Sequence, residues 1–447
     1  MKTNKRKLSN TQLIALSFLG VILLGATLLC LPIASKSGEW TNFLDASFTA
    51  TSATCVTGLV VFDTFSQWTL FGQIVILTMI QIGGLGLMTL MASFALFLKR
   101  RINLQERRLL LQSSGNLQYG DLSRILKRIL LGTLLFEGIG AILLAIRFCP
   151  QMGVWEGIYN AVFHSVSAFC NSGFDLMGKY RAFSSLTAFV GDPLVSLTVC
   201  ALIIIGGIGF LVWDDVYRNG LRFKKYSLHS KIVLLATAIL VIGGWIIFFV
   251  TEQNYALKGM SLPEQVLGSL FQSVTTRTAG FNTIDQTALS NPGSIVTVIF
   301  MLIGGSPGST AGGIKTMTVA IALLAVFSIA KNRKDTTAFR RRIDEQQVKQ
   351  ALAILVIYTL LFVGATTLVC VFEPAKALKS VVYEVSSAVA TVGLSLDGSG
   401  TFCAISKTIL MLMMYVGRIG GLSLVLMLAE KREQAPLERP EEKILIG

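Results

Sequence analysis

The sequence predicts an all-α membrane protein made of four helix–pore-loop–helix repeats around one central pore. Composition is the first reason. Of 447 residues, 53% are hydrophobic and 14% are charged, and the mean hydropathy is +0.66, whereas soluble chains carry about 25% charged residues. The charges cluster between apolar runs that approach or exceed the roughly 20 residues needed to cross a bilayer. The second reason is a fourfold motif. Short loops read Val56-Thr57-Gly58-Leu59, Asn171-Ser172-Gly173-Phe174, Thr278-Ala279-Gly280-Phe281 and Thr391-Val392-Gly393-Leu394. Another glycine-rich motif follows each loop glycine, beginning at Gly83, Gly206, Gly304 and Gly417, which are 25, 33, 24 and 24 residues further on. Four matches in register mark an internal repeat.

Each repeat begins with a spanning helix, expected over 11–33, 125–148, 230–251 and 348–372. A half-inserted segment follows, over 43–54, 157–169, 263–275 and 376–390. These are too short to span and end at the glycine loops, so they are expected to be re-entrant helices. Non-helical backbone at that depth is tolerated only when buried in protein or lining a watery cavity. The second spanning helices are expected over 67–98, 193–217, 294–329 and 404–429. Eight spans and four re-entrant helices result, divided as repeats 1–100, 101–220, 221–335 (with an intramembrane loop 304–313) and 336–447. The first two repeats are most alike: Phe48, Ser52, Ala53 and Cys55 align with Phe163, Ser167, Ala168 and Cys170. The tail after Ala429 reads as solvated.

The net charge of +14 follows the positive-inside rule rather than a nucleic-acid footprint. Eight Lys/Arg fall in 99–128, five in 214–231, seven in 331–349 and four in the first seven residues. The opposite side holds only Lys36, Arg147, Lys179, Arg181, Lys258, Lys376, Lys379 and Lys407. Both termini and the three long loops are therefore expected in the cytoplasm, in contact with a lipid bilayer and without nucleic acid. No cleavable signal is evident, because the basic start leads into a run long enough to span. The seven cysteines contain no Cys-x-x-Cys pair and read as packing residues.

Three places carry chemistry. A cation crossing a bilayer must replace its hydration shell, and carbonyl oxygens around an axis can do this, with glycine permitting the backbone path. The alternative reading, close-packing glycines, weakens when four loops stand in register. The second place is Gly304-Gly305-Ser306-Pro307-Gly308-Ser309-Thr310-Ala311-Gly312-Gly313. Five glycines and a proline in ten residues should break the surrounding helix at mid-membrane; an extramembrane turn is the alternative. The third is Arg418, which aligns with Gly84, Gly207 and Gly305. A charge at mid-span is functional by default, and here it would be an electrostatic barrier or an anchor for the broken loop; a packing role on carbonyls is the alternative. Arg277 is expected to brace the third loop from behind with Glu384 or Asp285, and Lys315 to snorkel.

With these residues the chain resembles the bacterial Trk/Ktr and plant HKT potassium transporters, over essentially its whole length. Thr391-Val392-Gly393 resembles the start of a potassium-channel filter signature. The resemblance implies a potassium filter at Val56, Thr57, Gly58, Asn171, Ser172, Gly173, Thr278, Ala279, Gly280, Thr391, Val392 and Gly393, with a gate formed by the 304–313 loop and Arg418. Glycine rather than serine at position 58 goes with potassium selectivity in that family. Eight spans make the chain more similar to the Ktr membrane subunit (KtrB type) than to the Trk one. The resemblance further implies a homodimer, a KtrA-like cytoplasmic ring of nucleotide-binding regulators, and the plasma membrane of a bacterium. No cofactor is expected on this chain. Potassium is the cargo, and sodium a candidate activating ion. A sodium-preferring or non-selective channel of the same fold is the runner-up.

Enzyme readings fare worse. Gly304-Gly305-Ser306-Pro307-Gly308 matches Gly-x-Ser-x-Gly, as an intramembrane serine protease would require. But of the two histidines, His164 belongs beside the glycine loops and His229 in a basic loop. A phosphate-binding loop at Gly308–Thr316 fails because Ile314 displaces the lysine by one place and no strand precedes it.

Overall fold

The computed structural model describes residues 10–86 and 122–420. Within them the four repeats are explicit. Repeat one has α1 (Asn10–Cys30), α2 (Phe43–Cys55) and α3 (Leu70–Leu85). Repeat two has α4 (Leu122–Met152), α5 (Val154–Phe169), α6 (Pro193–Gly207) and α7 (Phe210–Asn219). Repeat three has α8 (Leu228–Glu252), α9 (Leu262–Thr275), α10 (Asn291–Leu302) and α11 (Thr316–Ala330). Repeat four has α12 (Glu345–Phe372), α13 (Leu378–Ala390) and α14 (Ala404–Ile419). A short hairpin pairs Thr337–Ala338 with Arg341–Arg342 between α11 and α12. The basic segment 99–121, the first nine residues and the tail lie outside the described residues.

The helix starts are chemically specified. Asn42 caps α2 by accepting from Leu44 N at 2.9 Å. Asp192 caps α6 just ahead of Pro193, accepting from Leu194 N at 3.0 Å. Ser261 and Glu264 form a capping box around α9, and Ser290 caps α10 through Gly293 N at 3.0 Å. Each cap satisfies a donor the helix cannot, for about 1 kcal/mol.

Packing closes the four repeats into a ring. Each re-entrant helix packs on the second helix of the repeat before it: α5 on α3, α9 on α6, α13 on α10, and α2 on α14. The re-entrant helices are buried over most of their length. The first helices form the outer layer and turn apolar side chains outward, such as Leu24 on α1, Leu131 on α4, Ile239 on α8 and Leu360 on α12. Large exposed aliphatic residues on a long helix are what lipid contact selects.

The second helices depart from the sequence expectation. Among the described residues, four helices are by themselves long and apolar enough to cross a membrane: Gln12–Cys30, Leu126–Met152, Leu228–Glu252 and Glu345–Phe372. The inner helices are short or broken. α6 and α7 are bent by 94°, so 193–217 is not one straight helix. α3 ends at Leu85 and α14 at Ile419; the remainders of 67–98 and 404–429 lie outside the described residues. The cause is a glycine three residues after the first glycine of three of the motifs: Gly86 (φ 81°), Gly209 (φ 94°) and Gly420 (φ 90°). A left-handed residue ends a right-handed helix, and glycine takes that conformation without a Cβ clash. In repeat three the break is longer and becomes the 303–315 loop.

Candidate functional site: a ring of glycine loops above a folded intramembrane loop

The four loops meet. A Cβ placed on Gly58 would lie 2.4 Å from Ser172 O, and one on Gly173 would lie 2.6 Å from Ala279 O. From Gly280 the nearest atom is Val392 O at 2.5 Å, and from Gly393 it is Thr57 O at 2.3 Å. Each glycine therefore abuts the carbonyl before the glycine of the next loop, in the order one, two, three, four, one. That is a closed ring of backbone. Its φ pattern repeats as well. Val56, Asn171, Thr278 and Thr391 are left-handed (φ 57°, 59°, 69° and 53°), and so are the four glycines (φ 90°, 72°, 83° and 98°). Four non-glycine residues in this region carry strain of about 1–2 kcal/mol each, held by surrounding bonds.

Those bonds come from the re-entrant helices. Ser52 Oγ accepts from Gly58 N at 3.1 Å, and Ser387 Oγ accepts from Gly393 N at 2.9 Å. Ser167 Oγ donates to Phe174 O at 2.6 Å, and Thr275 Oγ1 donates to Phe281 O at 2.5 Å. Nine residues before the second and fourth loop glycines stand His164 and Glu384. Leu176 N donates to His164 Nε2 at 3.3 Å, while Nδ1 lies 2.7 Å from Asn160 O. Glu384 accepts from Ser395 Oγ at 2.5 Å and from Ser399 Oγ. Sequence reasoning aligned Ser52 with Ser167 but assigned them no role; hydroxyl residues recurring five or six places before a loop glycine were the available signal.

The structure also explains why the two glycine motifs occur together. A Cβ on Gly83, Gly206 or Gly417 would lie 2.1, 2.0 or 2.2 Å from Thr54 O, Phe169 O or Val389 O. Each of those carbonyls belongs to the residue four places before the loop glycine of the same repeat. The inner helix thus touches the base of its own loop directly, with no room for a side chain.

Opening onto one side of the ring is a vestibule of about 680 Å³, lined by all four loop glycines. Asp45, Asp63, Asp175, Asp285 and Asp397 line it, together with Lys407; Lys407 Nζ pairs with Asp45 Oδ1 at 2.8 Å. Four of these acids lie two to five residues after a loop glycine. This regularity was readable in the sequence and went unused.

On the other side lies the 304–313 loop. Its stem is closed by Gly304 N donating to Ile314 O (2.8 Å), Thr316 N to Gly305 O (3.0 Å) and Thr316 Oγ1 to Gly304 O (2.6 Å). Repeat two holds the tip: Ser306 N donates to Gly207 O (2.9 Å), Thr310 Oγ1 to Phe169 O (3.1 Å), and Phe210 N to Gly308 O (2.8 Å). On the far limb, Gly313 N donates to Gly417 O at 3.3 Å. The loop lies directly against the ring, since a Cβ on Gly312 would lie 2.0 Å from Thr391 Oγ1, and one on Gly304 would lie 3.3 Å from Thr278 Cγ2. Arg418 ties this assembly together. Its guanidinium donates to Thr310 O in the loop, to Gly83 O, and to Gly84 O at 3.2 Å. Its partners are carbonyls from two other repeats, contacts that both the anchor and the carbonyl-packing alternative call for.

Two expectations are corrected. Arg277 meets neither Glu384 nor Asp285; its Nη2 donates to Thr316 Oγ1 at 3.2 Å. Glu384 is engaged by the two serine hydroxyls, and Asp285 Oδ1 accepts from Thr287 N at 2.9 Å. Lys315 does not extend away from the loop; its Nζ donates to Ala311 O at 2.6 Å. Ser306 Oγ is buried without a hydrogen-bond partner among the described residues, and both nitrogens of His164 are committed elsewhere.

Comparisons with known proteins agree with this geometry. The family model described as TrkH, cation transport protein, matches residues 3–439. The potassium/sodium uptake protein NtpJ of Enterococcus hirae is 40% identical, covering 100% of this chain and 99% of that protein. The Ktr system potassium uptake protein B of Vibrio alginolyticus is 39% identical (100% of this chain, 97% of that protein), and that of Bacillus subtilis is 38% identical (98% and 96%). The crystal structure of the potassium transporter TrkH from Vibrio parahaemolyticus superposes with a TM-score of 0.72 at 18% identity, over 96% of this chain and 87% of that one. With a ring of four glycine loops, a broken third repeat and full-length relatives of this identity, the chain belongs to the TrkH family of cation transport proteins.

Proposed function

We propose that this chain is the pore-forming membrane subunit of a potassium uptake system of the Ktr type. The observation that carries the reading is the closed ring, in which each loop glycine abuts the carbonyl of the next loop. Alternating left-handed residues turn backbone oxygens toward a common axis, where they substitute for the water around potassium. Residues 56–58, 171–173, 278–280 and 391–393 form this filter, held at fixed radius by the hydroxyls of Ser52, Ser167, Thr275 and Ser387. The acidic vestibule raises the local cation concentration at its mouth. The 304–313 loop, clamped by Arg418, closes the path on the other side and must move for ions to pass.

Full-length relatives named as Ktr subunits support a multi-component system. In our reading, a cytoplasmic ring of nucleotide-binding subunits controls the loop, and two copies of this chain pair in a bacterial plasma membrane with both termini in the cytoplasm. Potassium is the cargo, with sodium as a candidate activating ion. The basic segments and the arginines of the 337–342 hairpin support the orientation. Growth of a potassium-uptake-deficient bacterium on low potassium, with sodium as competitor, tests the function. Rescue that survives excess sodium is expected; no rescue, or rescue abolished by equimolar sodium, would overturn the reading.

A further inference from the structure

Glu137 stands at the middle of α4, a helix otherwise apolar across the membrane. None of the other three outer helices carries an acid at mid-length. A carboxylate at that depth is costly and persists where it has work to do. It is 7% exposed, and among the described residues no Lys or Arg pairs with it. Its Oε2 accepts from Gln81 Nε2 of α3 at 3.2 Å, and its main-chain oxygen accepts from Ser165 Oγ at 2.6 Å. Cys170 Sγ lies 3.5 Å from Gln81 Oε1 and 4.0 Å from Glu137 Oε1.

This cluster meets both working parts of the molecule. Cys170 immediately precedes Asn171 of the second glycine loop, and a Cβ on Gly84 would lie 2.5 Å from its sulfur. Gln81 precedes Gly83 and Gly84 on the last turn of α3, and their carbonyls accept from Arg418. The end of α3 is thus fixed on one flank by the Glu137–Gln81 bond and Cys170, and presents its carbonyls to Arg418 on the other.

We infer that Glu137 is a positioning residue for the gate: through Gln81 it fixes the end of α3 that holds Arg418. The inference rests on the reading of Arg418 and its loop as the gate. Glu137→Gln keeps the shape but puts an amide NH2 in place of one carboxyl oxygen, leaving buried donors beside only the weak acceptor Cys170 Sγ, so the anchor loosens.

The test is potassium influx per inserted chain in cells lacking the regulatory ring. It is measured for Glu137→Gln, for the exchange Gln81→Glu with Glu137→Gln, and for both in an Arg418→Gln background. We expect Glu137→Gln to raise influx at least threefold, the exchange to return it toward wild type, and neither to add to Arg418→Gln. Unchanged or reduced influx in Glu137→Gln, or an equal multiple in the Arg418→Gln background, would overturn the inference. If Glu137→Gln fails to insert, the exchange decides: normal insertion and influx support the pair, and failure overturns it. Arg418→Gln alone separates the two layers. If it raises influx while Glu137→Gln does not, only this inference falls; if it leaves influx unchanged, the gate reading falls with it.

Discussion

Replacing Gly58 by serine strikes the ring at its closest approach. The residue has φ 90°, and its new Cβ would lie 2.4 Å from Ser172 O, 3.2 Å from Gly173 Cα and 3.3 Å from Gly393 Cα. Optimal non-bonded separation for carbon is roughly 3.5–4.0 Å, so the neighbouring carbonyl must retreat by about 1 Å. The left-handed conformation itself costs a non-glycine residue about 1–2 kcal/mol. Because each loop abuts the next, the displacement cannot be absorbed locally and reaches the second loop. An oxygen moved by that distance no longer replaces a water of potassium, whereas sodium, carried with part of its own hydration, loses less. A differential of one to two kcal/mol corresponds to roughly a 5–30-fold fall in the potassium-to-sodium ratio. Initial influx of each ion, normalised to inserted protein, measures this. An unchanged ratio at normal insertion would show that Gly58 does not line the ion path.

Other perturbations test the surrounding parts. Ser387→Ala removes the acceptor for Gly393 N, leaving a buried donor unpaired at a cost of about 1–3 kcal/mol; selectivity should fall at unchanged insertion, and a retained ratio would refute the brace. Shortening the 304–313 loop by three residues should raise regulator-independent potassium influx, and a well-inserted variant without gain would remove the loop from gating. Arg418→Gln should raise maximal influx, by lowering a positive barrier and freeing Thr310 O; a fall per inserted chain would leave Arg418 a packing residue. Asp285→Asn with Asp397→Asn should raise the potassium concentration needed for half-maximal uptake at low ionic strength. The difference should shrink near 0.1 M salt, where the Debye length is about 10 Å; a salt-independent effect would contradict electrostatic focusing.

Much of this architecture was legible because the periodic signals are local. The re-entrant helices were expected at 43–54, 157–169, 263–275 and 376–390 and are found at Phe43–Cys55, Val154–Phe169, Leu262–Thr275 and Leu378–Ala390, since length and a terminal glycine define them. The helix ends at Gly86, Gly209 and Gly420 were hidden, because Gly-x-x-Gly inside apolar sequence reads equally as tight helix packing. Only backbone angles distinguish the two. The partners expected for Arg277 and the snorkelling expected for Lys315 both missed, because the fold of the broken loop brings Thr316 and Ala311 to them. Glu137 was visible as a lone acid in an apolar run, but its partner Gln81 lies in another repeat.

The central claim is that potassium is held by backbone oxygens on the axis of the four-glycine ring. Anomalous diffraction from crystals of the full chain grown with thallium or rubidium in place of potassium tests it directly. The account predicts peaks on the axis enclosed by Gly58, Gly173, Gly280 and Gly393, displaced by excess potassium and not by equal sodium. Ordered ions elsewhere in the protein with the ring empty, or ring peaks lost equally to sodium, would contradict it.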